Sequence, residues 1–216
     1  MELIYLETTD LSDTWFQALY KILEVGNTYT VERGSFKGQQ RLEFDHITIR
    51  IKHPGVKPLL PEIPAHLGIP NPVDYDYLDT YLPYLMTTEA LPGEDYTYGQ
   101  YLEPQIQAII DMYKEGSYKT NQACMTVGEP NNIFLSDPPC LKLIDTRIKD
   151  NKLHFFVTFR SNDLWSGFPA NLGSIQMLKE YMASMIGVND GEIIYSCKGL
   201  HLYDYTWDLA KTRVSC

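Results

Sequence analysis

LKLIDTRIKDNKLHFFVTFR, Leu141–Arg160, is the stretch that decides the fold. Apolar residues alternate on both sides of Asp150 and Asn151, a pair suited to a tight turn, so the segment reads as an antiparallel hairpin. Its two open ends must meet. SDPPC, Ser136–Cys140, stands at the start of the first strand, and Arg160 closes the second. Two prolines therefore stiffen the chain ahead of a cysteine that the hairpin brings beside a guanidinium. A nearby positive charge favours thiolate, the nucleophilic form of the thiol. The same guanidinium can hold an anion such as phosphate through two parallel hydrogen bonds.

The rest of the chain frames this hairpin. A helix is predicted over Ser12–Val25, with Leu11, Trp15, Leu19, Ile22 and Leu23 on one face and Gly26 as its stop. RLEFDHITIRI, Arg41–Ile51, reads as one strand with Leu42, Phe44, His46 and Thr48 on a common side. Residues 53–73 hold six prolines and form an irregular crossing over the surface. DYDYLDTYLPYLMT is helical, with Pro83 near a kink or end. A second helix covers Glu103–Glu115, with Ile106, Ile109, Ile110 and Tyr113 inward. The strongest helix covers Asn171–Ile186; its stripe is Leu172, Ile175, Leu178, Tyr181, Met182 and Met185, and Gly187 ends it. EIIYSCKGLHLYDY returns to strand. Helices and strands mix without βαβ alternation, so the class is α+β in a single domain, 1–216.

Composition narrows the function. The chain has 216 residues and a formal net charge of −10, which argues against a nucleic-acid binder. No apolar run reaches the roughly 20 residues that cross a bilayer, and MELIYLETTD lacks the bases of a signal peptide; a cytoplasmic protein with no membrane partner is expected. Cys124, Cys140, Cys197 and Cys216 include no CxxC pair, so no structural metal is expected. After Arg160 come Ser161, Asn162 and Asp163, three polar side chains at a strand end. Asn171 follows near a helix start, where its amide either caps the helix or reads a base edge.

FRSNDLWSGFPANLG, Phe159–Gly173, resembles the RSxDxxLGxPxN signature of thymidylate synthase. PPC resembles that family's nucleophile motif, HLYDYTWD its HxYxNH segment, YTYGQYLEPQI (Tyr96–Ile106) its VYGxQWR segment, and ERGS (Glu32–Ser35) its early arginine loop. The matches fall in the family's order, and the short chain resembles the compact archaeal type. The resemblance implies a large mixed sheet with flanking helices, stacked sheet on sheet across a homodimer. It also implies one-carbon transfer to C5 of dUMP through a covalent bond between Cys140 and C6. The carrier would be 5,10-methylenetetrahydrofolate or methylene-tetrahydromethanopterin. By the same resemblance Tyr98 helps remove the C5 proton, and Asp163 contacts the pterin and moves protons. Arg33, Arg160 and Ser161 bind phosphate, Asn171 reads the uracil, and His201 and Tyr203 hold the 3′-hydroxyl. An amide suits uracil, whereas aspartate at the same place suits cytosine.

Departures from the family pattern mark alternatives. Leu141 stands where a histidine is usual, and Phe159 replaces a glutamine. No arginine pair occurs near Thr120–Asn121; Lys119, Arg147 or Arg213 is the expected substitute. The family's helix glutamate has no clear counterpart beyond Asp79 or Glu89. The ending TRVSC does not match the family's closing segment. An open site admits water to the exocyclic methylene, which makes a pyrimidine-nucleotide hydroxymethylase the alternative. A nucleotide-binding protein without turnover is the third reading.

Overall fold

A computed structural model describes residues 1–90, 95–116 and 118–215; Cys216 lies outside them. In chain order the elements are β1 (Leu3–Thr8), α1 (Leu11–Val25), β2 (Asn27–Thr30), β3 (Gln40–Glu43), β4 (His46–Ile51), α2 (Tyr75–Met86), α3 (Gly99–Glu115), β5 (Cys124–Thr126), β6 (Leu141–Lys149), β7 (Lys152–Phe159), β8 (Asn162–Asp163), α4 (Gly167–Ile186), β9 (Asn189–Cys197), β10 (Leu200–Tyr203) and α5 (Trp207–Val214). The fold is α+β. A six-stranded mixed sheet runs β1-β4-β9-β7-β6-β5, and a four-stranded sheet runs β2-β3-β10-β8. No described helix is long and apolar enough to cross a membrane.

The β6–β7 hairpin forms as expected. Asp150 and Asn151 both take positive φ, 52° and 57°, the left-handed pair that a two-residue hairpin turn requires and that Asp and Asn tolerate. Pairing continues from Lys149↔Lys152 to Leu141↔Phe159. One step further, the Arg160 N–H donates to the Cys140 carbonyl at 2.8 Å. The row Met125, Ile144, Val157, Tyr195 and Ile49 crosses neighbouring strands in register and is buried throughout. That row is the sheet's contribution to the core, packed under α1, α3 and α4.

The strand predicted over Arg41–Ile51 is two strands in two sheets. Phe44 is buried, but from there the inward residues are Ile47, Ile49 and Ile51, so His46 and Thr48 turn to the other face. Parity slips by one residue at the break, and with a period of two a single slip exchanges faces. The partner ribbon breaks at the same level. β9 gives way to β10 at Lys198–Gly199, with Gly199 at φ 76°, and the Phe44 N–H donates to the Leu200 carbonyl at 3.0 Å. Both ribbons leave the large sheet together, and the small sheet they build becomes one wall of a cavity.

The helices begin earlier than their apolar stripes. α4 starts at Gly167, which puts Asn171 in its second turn and rules out the capping reading. Tyr181 and Met185, expected inward, are exposed, while Gln176 and Lys179 are buried. Lys179 is tied to Asp190 at 3.2 Å, and burial pulls its pKa down to about 8. The helix thus meets an ion-pair cluster on a side the periodicity reads as polar surface. Within the proline-rich crossing, Leu59, Leu60, Ile63 and Val73 are buried, so it anchors to the core where a surface crossing was expected.

α3 starts at Gly99, four residues before its expected start, and the backbone there is crowded. A Cβ at Gly99 would lie 1.9 Å from the Thr87 carbonyl oxygen. Glycine alone allows the end of α2 to touch the start of α3, and this contact seats Tyr98. Gly99→Ala is expected to cost roughly 1–3 kcal/mol, seen as a fall in Tm of about 2–4 °C per kcal/mol for a chain of this size. An unchanged thermal transition would show that the close approach carries no stability.

Candidate active site

Between the hairpin ends, the small sheet and the start of α4 lies a cavity of about 350 Å³. Cys140, Tyr98, Asp163, Arg33, Arg160, Ser161, Asn171, His201 and Tyr203, the full set expected from sequence, line this one space. Arg147, Arg213, Lys119, Asp79 and Glu89 do not. Arg147 donates to Asn121 at 3.2 Å on the sheet, and Arg213 lies over the Phe16 ring at 4.1 Å. Asp79, Glu89 and Lys119 are exposed.

The cysteine is placed by the arginine. Arg160 Nε donates to the carbonyls of Pro138 and Pro139, both at 3.2 Å, and Nη2 donates to Asp137 at 3.1 Å. Proline has no N–H, but its carbonyl is a full acceptor, and two fixed φ angles hold both carbonyls toward the guanidinium. The Nε–Nη2 edge is therefore taken by the chain itself, which leaves an anion only the rest of the fork. On the other side of Cys140, the Leu141 N–H donates to the Tyr98 hydroxyl at 3.3 Å. Burial holds Tyr98 well above the ordinary phenol range, so its proton stays on.

The expectation of a ready thiolate is corrected by burial. Desolvation pushes the Cys140 thiol up, and Arg160 opposes this without reversing it; Asp137 adds to the rise, and Lys142 and Arg41 lower it. The thiol rests protonated at neutral pH and needs a further influence to ionise.

His201 occupies the small-sheet wall. Its Nδ1 lies 2.8 Å from the Gly199 carbonyl and so carries the proton. Its Nε2 is buried with no hydrogen-bond partner among the described residues. Burial lowers its pKa to about 4, which keeps Nε2 a bare acceptor. Such an acceptor matches a ligand hydroxyl. Tyr203 is held by stacking on Phe36 at 4.5 Å and Tyr205 at 5.7 Å. Asp163 collects the turn that opens α4: it accepts from Ser166 N at 3.1 Å, Ser166 Oγ at 2.8 Å, and the Trp165 and Gly167 N–H groups, both at 3.2 Å.

Sequence reasoning missed Arg41 and Tyr81. Arg41 lines the cavity from β3, directly opposite Tyr203 of β10. Its only visible signal is that register, which requires the sheet to be known. Tyr81 donates to Asn171 Oδ1 at 2.7 Å, from the helix on which a carboxylate was sought.

The thiol's environment is directly measurable. Alkylation of Cys140 by iodoacetamide should rise with pH through a midpoint above that of an ordinary cysteine, and Arg160→Ala should move the midpoint higher still. A midpoint below the ordinary range, or one indifferent to Arg160, would contradict the balance of burial over charge described above.

The chain resembles known proteins over nearly its whole length. A protein of Methanosarcina mazei provisionally named thymidylate synthase is 31% identical over 215 residues, covering 97% of this chain and 94% of the relative. One of the same provisional name from Methanosarcina acetivorans is 30% identical over 215 residues, with the same coverage. Another from Methanothermobacter marburgensis is 25% identical over 219 residues, 95% of this chain and 96% of the relative. The family model for thymidylate synthase matches residues 85–215, from the end of α2 through α5. With a cysteine, a phenol, arginines and an amide around one cavity, and this similarity across the chain, the protein belongs to the thymidylate synthase family.

Proposed function

We propose that this protein methylates dUMP at C5 to give dTMP, taking the one-carbon group and the hydride from a methylene-bearing reduced folate or methanopterin. The observation that carries the proposal is the single cavity that gathers Cys140, Tyr98, Arg160, Asn171 and His201. Cys140 adds as thiolate to C6 of the uracil, and C5 becomes the nucleophilic carbon of an enolate. C5 takes the methylene from the carrier, its proton leaves to a water positioned with the help of the Tyr98 hydroxyl, and elimination of the carrier gives an exocyclic methylene. Hydride from the reduced ring adds to that methylene, the C5–C6 double bond re-forms, and the C6–S bond breaks to return Cys140 as thiolate and release dTMP. Arg160 keeps the thiol beside the ring, while Arg33, Ser161 and the free part of the Arg160 fork meet the phosphate. His201 Nε2 accepts from the 3′-hydroxyl, with Tyr203 beside it. Asn171 pairs with the base, and Asp163 sits where the second ring would contact it.

A nucleotide that fills the cavity brings an electrophilic carbon to the sulfur, so loss of the thiol proton is coupled to formation of the bond to C6. The open face of the large sheet carries exposed Tyr5 and Phe156. Two chains would stack there as a homodimer, which suits a cytoplasmic enzyme.

The test is release of tritium from [5-³H]dUMP, with each carrier supplied in turn and the product read by mass. Wild type should release tritium and form dTMP; a hydroxymethyl nucleotide with an unoxidised carrier would make the protein a hydroxymethylase. Cys140→Ala should bind dUMP and release no tritium. Asn171→Asp should shift preference toward dCMP by a margin on the order of a few kcal/mol. Tritium release that survives in Cys140→Ala would remove the thiol from the mechanism, and no release by wild type with either carrier would leave a binding protein.

A further inference from the structure

A carboxamide is nearly symmetric in shape, but its two ends have opposite hydrogen-bonding roles. Turned one way, a fixed amide matches uracil; turned the other, it matches cytosine. Discrimination between the bases therefore depends on what prevents Asn171 from turning over. We infer that a one-way chain of hydrogen bonds from Tyr81 through Asn171, Asn162 and Tyr195 to Cys197 fixes the sense of the Asn171 amide. Tyr81 and Asn162 are then specificity-determining positioning residues. The inference rests on the reading that Asn171 faces the pyrimidine.

The direction of the chain follows from its far end. A backbone carbonyl only accepts, and the Cys197 thiol lies 3.3 Å from the Lys198 carbonyl, so its S–H donates there. The sulfur lone pairs are left to accept from the Tyr195 hydroxyl, its hydrogen-bond partner two residues back on β9. With its proton committed, the Tyr195 oxygen accepts from Asn162 Nδ2 at 3.3 Å. Asn162 Oδ1 then faces Asn171 and accepts from its Nδ2 at 3.1 Å. The Asn171 oxygen points the other way and accepts from the Tyr81 hydroxyl at 2.7 Å. Burial keeps the Tyr81 and Tyr195 protons on, so neither link is lost to ionisation near neutral pH.

Turning Asn171 alone would set two amide oxygens against each other at the Asn162 link. Turning Asn162 as well would require the Tyr195 proton to reverse and the Cys197 thiol to release the Lys198 carbonyl. Asn162 and Asn171 are both buried, so water does not readily replace a broken link. Gly167 keeps space for the link, since a Cβ there would lie 3.2 Å from Asn162 Oδ1. Asn171 still faces the cavity. One acceptor position and one donor position remain for the base, in an order set by the chain behind it.

The test is calorimetric binding of dUMP and dCMP, without carrier, to wild type, Tyr81→Phe and Asn162→Ala. Tyr81→Phe keeps the ring and removes one hydroxyl, so it guards against a folding defect in the alanine variant. Wild type should prefer dUMP. Asn162→Ala should lower the dUMP-to-dCMP affinity ratio by about tenfold or more, and Tyr81→Phe by about fivefold, by weakening dUMP and not by weakening both equally. A wild-type ratio kept by both variants, or equal losses for the two nucleotides, would overturn the inference and leave the proposed function standing. Wild type that binds neither nucleotide, or does not distinguish them, would overturn both.

Discussion

The grip of Arg160 on the two proline carbonyls is the constraint on which the site depends. A cysteine in a flexible loop would sample many positions, and fixing it would cost conformational entropy. Here two prolines remove much of that freedom in advance, and the guanidinium binds the carbonyls they expose. The hairpin supplies the arginine at the required place because its ends are in register. Sequence, turn type and register thus converge on one sulfur atom. The arrangement also divides the guanidinium, since only the edge formed by Nε and Nη2 is taken up in holding the chain beside the thiol.

The second wall is built by two strands that change sheet side by side. β4 and β9 pair in the large sheet, their continuations β3 and β10 pair in the small one, and the break occurs at one level. Because they move together, few backbone hydrogen bonds are lost. His201 and Tyr203 thereby face the thiol's cavity, with an acceptor nitrogen held bare by burial.

Much of this was legible in the sequence, for definable reasons. The hairpin could be read because a period of two and an Asp-Asn turn are local signals. α1 and the inward face of α3 could be read because their stripes are clean. The break at Phe44–Asp45 could not, since an alternating run gives no sign that its continuation pairs elsewhere. α4 misled at its start and on one face, though it ends at Ile186 as expected: Asp163 gathers its opening turn from outside the stripe, and Lys179 is buried by an ion pair that periodicity counts as surface. All nine expected site residues reached one cavity, but the substitute arginines and carboxylates sought by position did not. Their places depend on cross-strand register and helix docking, which motif spacing does not encode. Arg41 and Tyr81 show the same limit from the other side. Each enters the site through a partner far away in the chain.

The buried, protonated state of the Cys140 sulfur also bears on its oxidation. Thiolates attack peroxides and disulfides far faster than thiols do. A buried thiol held neutral is shielded from oxidants for as long as it keeps its proton.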